Sequence, residues 1–154
     1  MQRKSIYSKN LLFAFRRLPE RAWMDIIKLY ENHQDEIENL LLESELEIKH
    51  QYLEALHEIK DYQVLVIASG SFIPLTLDSE INSELGRLYL EDGLYWKSNA
   101  QIKLMDYENA AHTLGQLVRM SPEEKIYSQR LLRCLFIMKP NYVRNMRAIS
   151  IVLF

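Results

Sequence analysis

Apolar residues recur at spacings of three and four positions through most of this 154-residue chain. That spacing places them on one face of an α-helix, in which about 3.6 residues make a turn. Glycine and proline are scarce, with four residues of each, whereas sheet-rich folds need many tight turns built from those residues. A chain of this length can also bury a core. We therefore predict an all-α fold of helices joined by short connections.

The predicted helices belong to a single helical domain, residues 1-154, which has two parts. The first part, residues 1-73, contains the N-terminal helices, and the second part, residues 80-154, contains further helix pairs. The apolar pattern predicts helices over 5–17, from 20 onward, over 35–60, from 64 to about 70, over 80–105, 107–121 and 123–138, and from 142.

The segment 74–78 is expected to form the main connection between the two parts. Asp78 or Ser79 is the expected N-cap of the next helix, because a short polar side chain can accept a hydrogen bond from the free N–H groups of the first turn. Gly86 and Gly93 lie inside that helix, where glycine costs about 1 kcal/mol relative to alanine. Close packing against a neighbouring helix would explain both glycines.

Charge and cysteine content argue against several classes of protein. The net charge is −2 and the pI is about 6.1, so the chain has no overall basic field to hold nucleic acid. The single cysteine, Cys134, lies in an apolar run; we expect it to be buried and unpaired, as in a reducing compartment. The apolar run 11–15 is too short for a secretory signal. These features favour a cytoplasmic protein.

Residues 91–122 contain the pattern of a known helix pair. Its most specific stretch is the acidic-aromatic turn at 106–111, which reads Asp-Tyr-Glu-Asn-Ala-Ala. The segment resembles one unit of a tetratricopeptide (TPR) repeat, in which a small residue after the turn lets two antiparallel helices touch. Positions that match the packing residues of the family are Leu94, Ser98, Ala110, Leu114, Leu117 and the closing Ser121-Pro122. Lys97 and Gln101 depart from the usual leucine and aromatic residue.

Two other segments resemble the repeat less closely. Residues 125–154 resemble a degenerate second unit with its turn at Pro140, and the stretch 60–62 has the same turn pattern as 105–107, 45 residues earlier instead of the usual 34 or so. The resemblance implies antiparallel helix hairpins stacked as a TPR-like α-α superhelix. Such a scaffold or adaptor binds another protein or a peptide in its groove. The alternative is an irregular helical bundle.

The resemblance also implies which residues face a partner. On the first helix of the better repeat they are Tyr95, Asn99, Ile102 and Lys103, and on the weaker repeat they are Gln129 and Arg133. Some members of the family hold the terminal carboxylate of a peptide with lysine and asparagine on this face. Asn99 matches one such position, but Tyr95 stands where the lysine should be, so that clamp does not transfer. Tyr95 and Ile102 could instead belong to the core.

Two Glu-x-x-His pairs, Glu47 with His50 and Glu54 with His57, have the spacing found in di-metal helical bundles. Those bundles take one pair from each of two facing helices, whereas here both pairs lie on one helix, about 10 Å apart. We therefore reject the metal site and expect a solvated face with ion pairs. No nucleotide-binding or cofactor motif occurs either. A helical metal-dependent enzyme stays as an alternative, but we predict no enzyme and no cofactor.

The last seven residues, 148–154, are apolar except for Ser150, and basic residues precede them. We expect either that the natural chain continues beyond Phe154 into a membrane-spanning helix, with this domain at the cytoplasmic face, or that this segment covers the end of the last repeat. A third hypothesis is a structural homo-oligomer, such as a homodimer, that assembles through apolar ends.

Overall fold

The computed structural model of the protein describes the backbone of residues 2–138 and the side chains of residues 10–138. Over this part of the chain the structure contains α-helices and no strand, which confirms the all-α prediction. The helices are α1 (Gln2–Arg17), α2 (Trp23–Asn32), α3 (Gln34–Glu38), α4 (Leu42–Glu58), α5 (Tyr62–Thr76), α6 (Ser83–Lys103), α7 (Tyr107–Met120) and α8 (Lys125–Met138). The predicted segment from residue 142, with its turn at Pro140 and the apolar end of the chain, lies outside the described residues.

Helices α4 to α8 pack mainly on their neighbours in sequence, each against the next. Short connections reverse the chain between them, which makes successive helices antiparallel. Helix α4 also packs against α6, while α2 packs against α4 from the N-terminal side. None of the helices over residues 2–138 is both long and apolar enough to cross a membrane.

The turns after α4 and after α6 have the same conformation. Lys60 and Met105 have positive φ angles of 64° and 62°. The next residue, Asp61 or Asp106, has φ and ψ near −85° and 74° or −88° and 70°. In both turns the aspartate N–H donates to the carbonyl five residues back, at 3.0 Å and 2.8 Å. The similarity of the two turn sequences therefore extends to their backbone.

The buried apolar residues form two clusters. The first joins α1 to α5 and the buried residues of α6 that face them, and its least exposed members include Ile37, Leu46, Leu53, Leu56, Leu65 and Phe72. The second joins α6, α7 and α8 around Leu94, Ala110, Leu114, Leu117, Val118 and Leu131. Ile73 packs against both clusters, so α5 and α6 connect the two halves of the core.

The glycines of α6 lie where this helix crosses α5. A Cβ atom at Gly86 would stand 2.5 Å from the backbone oxygen of Thr76, and one at Gly93 would stand 2.8 Å from the ring of Phe72. Such distances leave no room for a methyl group. The prediction that close packing explains both glycines is confirmed.

The prediction of one continuous helix over 35–60 is wrong, because the structure contains two helices there, α3 and α4. Asn39 ends α3, and its side-chain amide donates to the carbonyl of Asp35 at 2.7 Å, which competes with helix continuation. Leu41 follows with an extended backbone. The break allows Ile37 and Leu46 to enter the same core, although α3 packs on α1 and α4 packs on α2 and α5.

The connection predicted over 74–78 begins later than expected. Helix α5 continues through Pro74 to Thr76. Proline removes one helical hydrogen bond, to the carbonyl of Gly70, but both residues are exposed and that carbonyl can be hydrated. The ring therefore does not end the helix.

The predicted N-cap of the next helix is also wrong. Asp78 accepts from the N–H of Glu80 in a local turn, at 2.9 Å. The cap is Asn82, whose side-chain oxygen accepts from the N–H groups of Glu84 and Leu85 at 2.9 Å and 3.3 Å. Helix α6 begins at Ser83, directly after this cap, and Ile81, on the other side of the cap, is buried in the first core cluster.

Candidate functional site: a basic pocket between α4, α6 and α8

A pocket of about 500 Å³ lies where the C-terminal ends of α4 and α6 meet α8. Helix α8 packs on α7, and its side chains also reach α6: Tyr127 donates to Glu91, and Arg130 donates to Asn99. The residues that line it are His57, Lys60, Tyr62, Asn99, Ile102, Lys103, Tyr107, Arg130, Arg133, Cys134 and Ile137.

The charge of this pocket is opposite to that of the whole chain. Lys60, Lys103, Arg130 and Arg133 all line it, whereas no aspartate or glutamate does. The chain as a whole has a net charge of −2. Cations collected in a concave surface raise the local potential and attract anions. The pocket is therefore suited to a negatively charged ligand.

Asn99 connects the three helices that form the pocket. Its side-chain oxygen accepts a hydrogen bond from the guanidinium of Arg130, so its amide nitrogen faces Nε2 of His57, at 3.4 Å. Because arginine only donates and an amide nitrogen only donates, Nε2 of His57 can accept from Asn99 only when this ring nitrogen carries no proton. The chain of contacts favours the neutral imidazole.

The pKa of His57 is lowered below its usual value of 6.5, first by burial and also by the positive charge of Arg130. Glu58 and Glu54, on the same helix, act in the opposite direction. The lowered pKa agrees with the acceptor role that the hydrogen-bond pattern gives to Nε2. At neutral pH the positive charge of the pocket therefore comes from lysine and arginine.

Four of the six residues predicted to meet a partner lie together in this pocket: Asn99, Ile102, Lys103 and Arg133. Tyr95 is half-buried, and Arg130 lies 5.4 Å from the centre of its ring. Tyr95 and Ile102 also pack against the second core cluster, so both have a structural role. Gln129 is exposed on α8 and is not among the residues that line the pocket.

The other seven lining residues were not predicted to meet a partner, and His57 was considered only as a metal ligand; the seven are His57, Lys60, Tyr62, Tyr107, Arg130, Cys134 and Ile137. The tyrosines had a usable signal, because each follows the aspartate of one of the two matching turns. Arg130 had none, since it meets Asn99 only through the packing of α8 on α7.

Cys134 is buried, as predicted, and its thiol has a raised pKa because of that burial. It lies on the side of α8 that faces both the second core cluster and the pocket. The raised pKa keeps the thiol protonated at neutral pH, and only the thiolate is a strong nucleophile. The residue therefore supplies packing and apolar surface.

The two Glu-x-x-His pairs are engaged with different helices. Glu47 accepts two hydrogen bonds from the guanidinium of Arg16, at 2.9 Å and 3.0 Å, and His50 lies 2.8 Å from a carboxylate oxygen of Asp92. His57 faces Asn99. Glu54 lines a separate cavity beside the loop between α1 and α2. Among residues 10–138, no group of three or more histidine, cysteine or acidic side chains is arranged to hold a metal.

Comparison with protein-family models, curated proteins and solved structures found no match to this chain. The resemblance of residues 91–122 to a TPR unit is therefore not supported by a matching family or solved structure.

Proposed function

We propose that this protein is an interaction module that binds a segment of a partner protein in the pocket between α4, α6 and α8. The observation that carries the proposal is the convergence of Asn99, Ile102, Lys103 and Arg133, chosen from the sequence as partner-facing positions, on one pocket. The basic side chains and the apolar lining there suit a peptide better than a catalytic reaction. The protein would act as a scaffold or adaptor.

A TPR-like stack of hairpins is the architecture that we propose for α4 to α8. Two features support it. Helix α4 contacts α6 directly, as first helices of successive repeats do, while α5 packs on both. The turns at 59–61 and 104–106 share one backbone conformation. In such a stack, α4, α6 and α8 would line the groove, and the pocket lies between these three helices.

We also propose a cytoplasmic location, supported by the single, buried cysteine. A second candidate function is assembly with copies of the same chain. The outer face of α8 favours it, because Leu132 and Phe136 are exposed there. Light scattering of the purified protein separates a monomeric binding module from a stable homodimer.

Site-specific photo-crosslinking in the native cell tests the interaction proposal. A photoreactive amino acid replaces Lys103, at the edge of the pocket, or Arg119, which is exposed on α7 and does not line it. We expect a discrete crosslinked product from position 103 and little from position 119. Equal products from both positions, or none from position 103, would contradict a binding role for this pocket.

A further inference from the structure

We infer that the pocket recognises acidic side chains of the partner, in a short extended segment where glutamate or aspartate stands next to an aliphatic residue. This inference rests on the proposed function, since it names the chemistry of the segment that the pocket binds. It is carried by the charges, the orientation of Arg130 and the mixed lining of the pocket.

The four basic side chains of the pocket come from three elements that are far apart in sequence. Lys60 follows α4, Lys103 ends α6, and Arg130 and Arg133 lie on α8. None of them forms an ion pair with a carboxylate of the described residues, whose ion pairs lie elsewhere. Glu54 and Glu58 influence His57 but do not line the pocket. The positive charge of the four basic side chains is therefore available to an anion from another molecule.

Two contacts restrict the guanidinium of Arg130 in a position from which it can bind a carboxylate. Asn99 accepts a hydrogen bond from one of its N–H groups, and its Cζ atom lies over the ring of Tyr95, 5.4 Å from the ring centre. A guanidinium has five N–H donors, so donors remain for a second acceptor. Because its position is already restricted, binding a carboxylate costs less side-chain entropy than it would for a free arginine.

The rest of the lining is apolar. Ile102, Ile137 and the rings of Tyr62 and Tyr107 contribute to the same pocket as the four cations. Apolar surface next to a positive charge fits an aliphatic side chain that neighbours an acidic one. A volume of about 500 Å³ is typical of pockets that enclose a small ligand, which suits a few side chains of an extended segment. Nucleic acid would instead require a longer basic track.

Fluorescence anisotropy with the full chain tests this inference. The probe is a short fluorescein-labelled peptide of glutamate, leucine and serine with an amidated carboxyl end, so that only side chains carry charge. We expect binding that weakens with added salt, and none for matched peptides with glutamine or lysine in place of glutamate. Lys103→Glu and Arg133→Glu should each weaken binding about tenfold. Arg119→Glu, which changes the charge of the protein equally, should change binding less than about twofold.

Several outcomes would overturn the inference. They are equal binding of the glutamine peptide, equal effects of Lys103→Glu and Arg119→Glu, or no binding of the acidic peptide. Binding only of a glutamine peptide with a free carboxyl end would point to terminal-carboxylate recognition instead. Lys103 and Arg133 are exposed, and circular dichroism checks that the variants stay folded. If crosslinking from position 103 succeeds while acidic peptides fail to bind, the proposed function stands and this inference falls; if both experiments fail, both fall.

Discussion

Lys60 and Met105 occupy the same left-handed backbone position in two turns that lie 45 residues apart. Each follows the C-cap of a helix and precedes the aspartate before the next one. A side chain at a positive φ angle clashes with its own backbone, which is why glycine usually occupies this position. Both turns therefore contain local strain that the packing of the hairpins holds in place.

Replacing Met105 with glycine should raise the free energy of unfolding by about 0.5–1 kcal/mol, because the strain exceeds the entropy that glycine adds to the unfolded chain. The side chain is 75% exposed, so little packing is lost. Urea denaturation measures the change. Leu104→Gly is the matched control: its φ is −83°, so glycine there should destabilise the protein. A larger loss of stability for Met105→Gly than for Leu104→Gly would disprove this account of the turn.

The two halves of the core meet where α5 crosses α6, and Gly86 makes this contact possible. Gly86→Ala should lower the free energy of unfolding by about 1–3 kcal/mol, because the added methyl group meets a backbone oxygen that cannot rotate away. Gly115→Ala in α7 is the control, since nothing lies within 4 Å of its Cβ position. There alanine should stabilise the helix by up to about 1 kcal/mol. If both variants changed the midpoint of thermal unfolding in the same direction, the close approach would not be the cause.

Glu45 and Lys49 form an ion pair on α4 at 3.3 Å, with side chains only 10% and 7% exposed. Lys49→Met should destabilise the protein by about 3–5 kcal/mol, because it leaves a buried carboxylate without a partner. The double variant Glu45→Leu/Lys49→Met should recover most of that loss, since it removes both charges. Chemical denaturation of the three proteins forms the test, with Arg16→Met in the exposed Arg16–Glu47 pair as a milder comparison. Equal losses in the single and double variants would show that the pair contributes through packing alone.

The lowered pKa of His57 predicts a pH dependence of stability. The folded state takes up a proton less readily than the unfolded state, whose histidine has a pKa of 6.5. Stability should therefore be constant above that value with respect to this group and should decrease as the pH falls below it. The decrease levels off below the folded-state pKa. His57→Gln should reduce the loss of stability between about pH 7.5 and about pH 5.5, whereas His112→Gln, at an exposed position of α7, should not. An unchanged pH profile for His57→Gln would refute this prediction.

The sequence alone predicted much of the local structure. Spacings of three and four placed the helices, because a helical face is set by residues within one or two turns of each other. Helix α7 begins at Tyr107, as predicted, whereas α5 begins at Tyr62, two residues before the predicted start. The close approach at Gly86 and Gly93 was also predictable, because glycine inside a helix needs a packing reason.

The apolar pattern of the sequence did not predict those helix boundaries that depend on a particular contact or on exposure. Asn39 closes α3 through its own side chain, and Pro74 is tolerated because the position is exposed. Asn82, and not Asp78, is the N-cap of α6, and Ile81 between them is buried. At Pro74 and Asn82 several local conformations are similar in energy, and the tertiary environment selects one, whereas the contact that ends α3 is local.

The candidate site, too, was predicted in part from the sequence and decided in part by tertiary packing. Asn99, Ile102, Lys103 and Arg133 could be chosen from the sequence because its resemblance to a TPR repeat implies which positions of a helix face the groove. The packing of α4, α6 and α8 decided the other contacts. It brings Arg130 to Asn99, places His57 beside them and adds Lys60 as a fourth cation. Those helices are joined by burial of their apolar faces, which is non-directional, so the partners of a charged side chain follow from how the whole core packs.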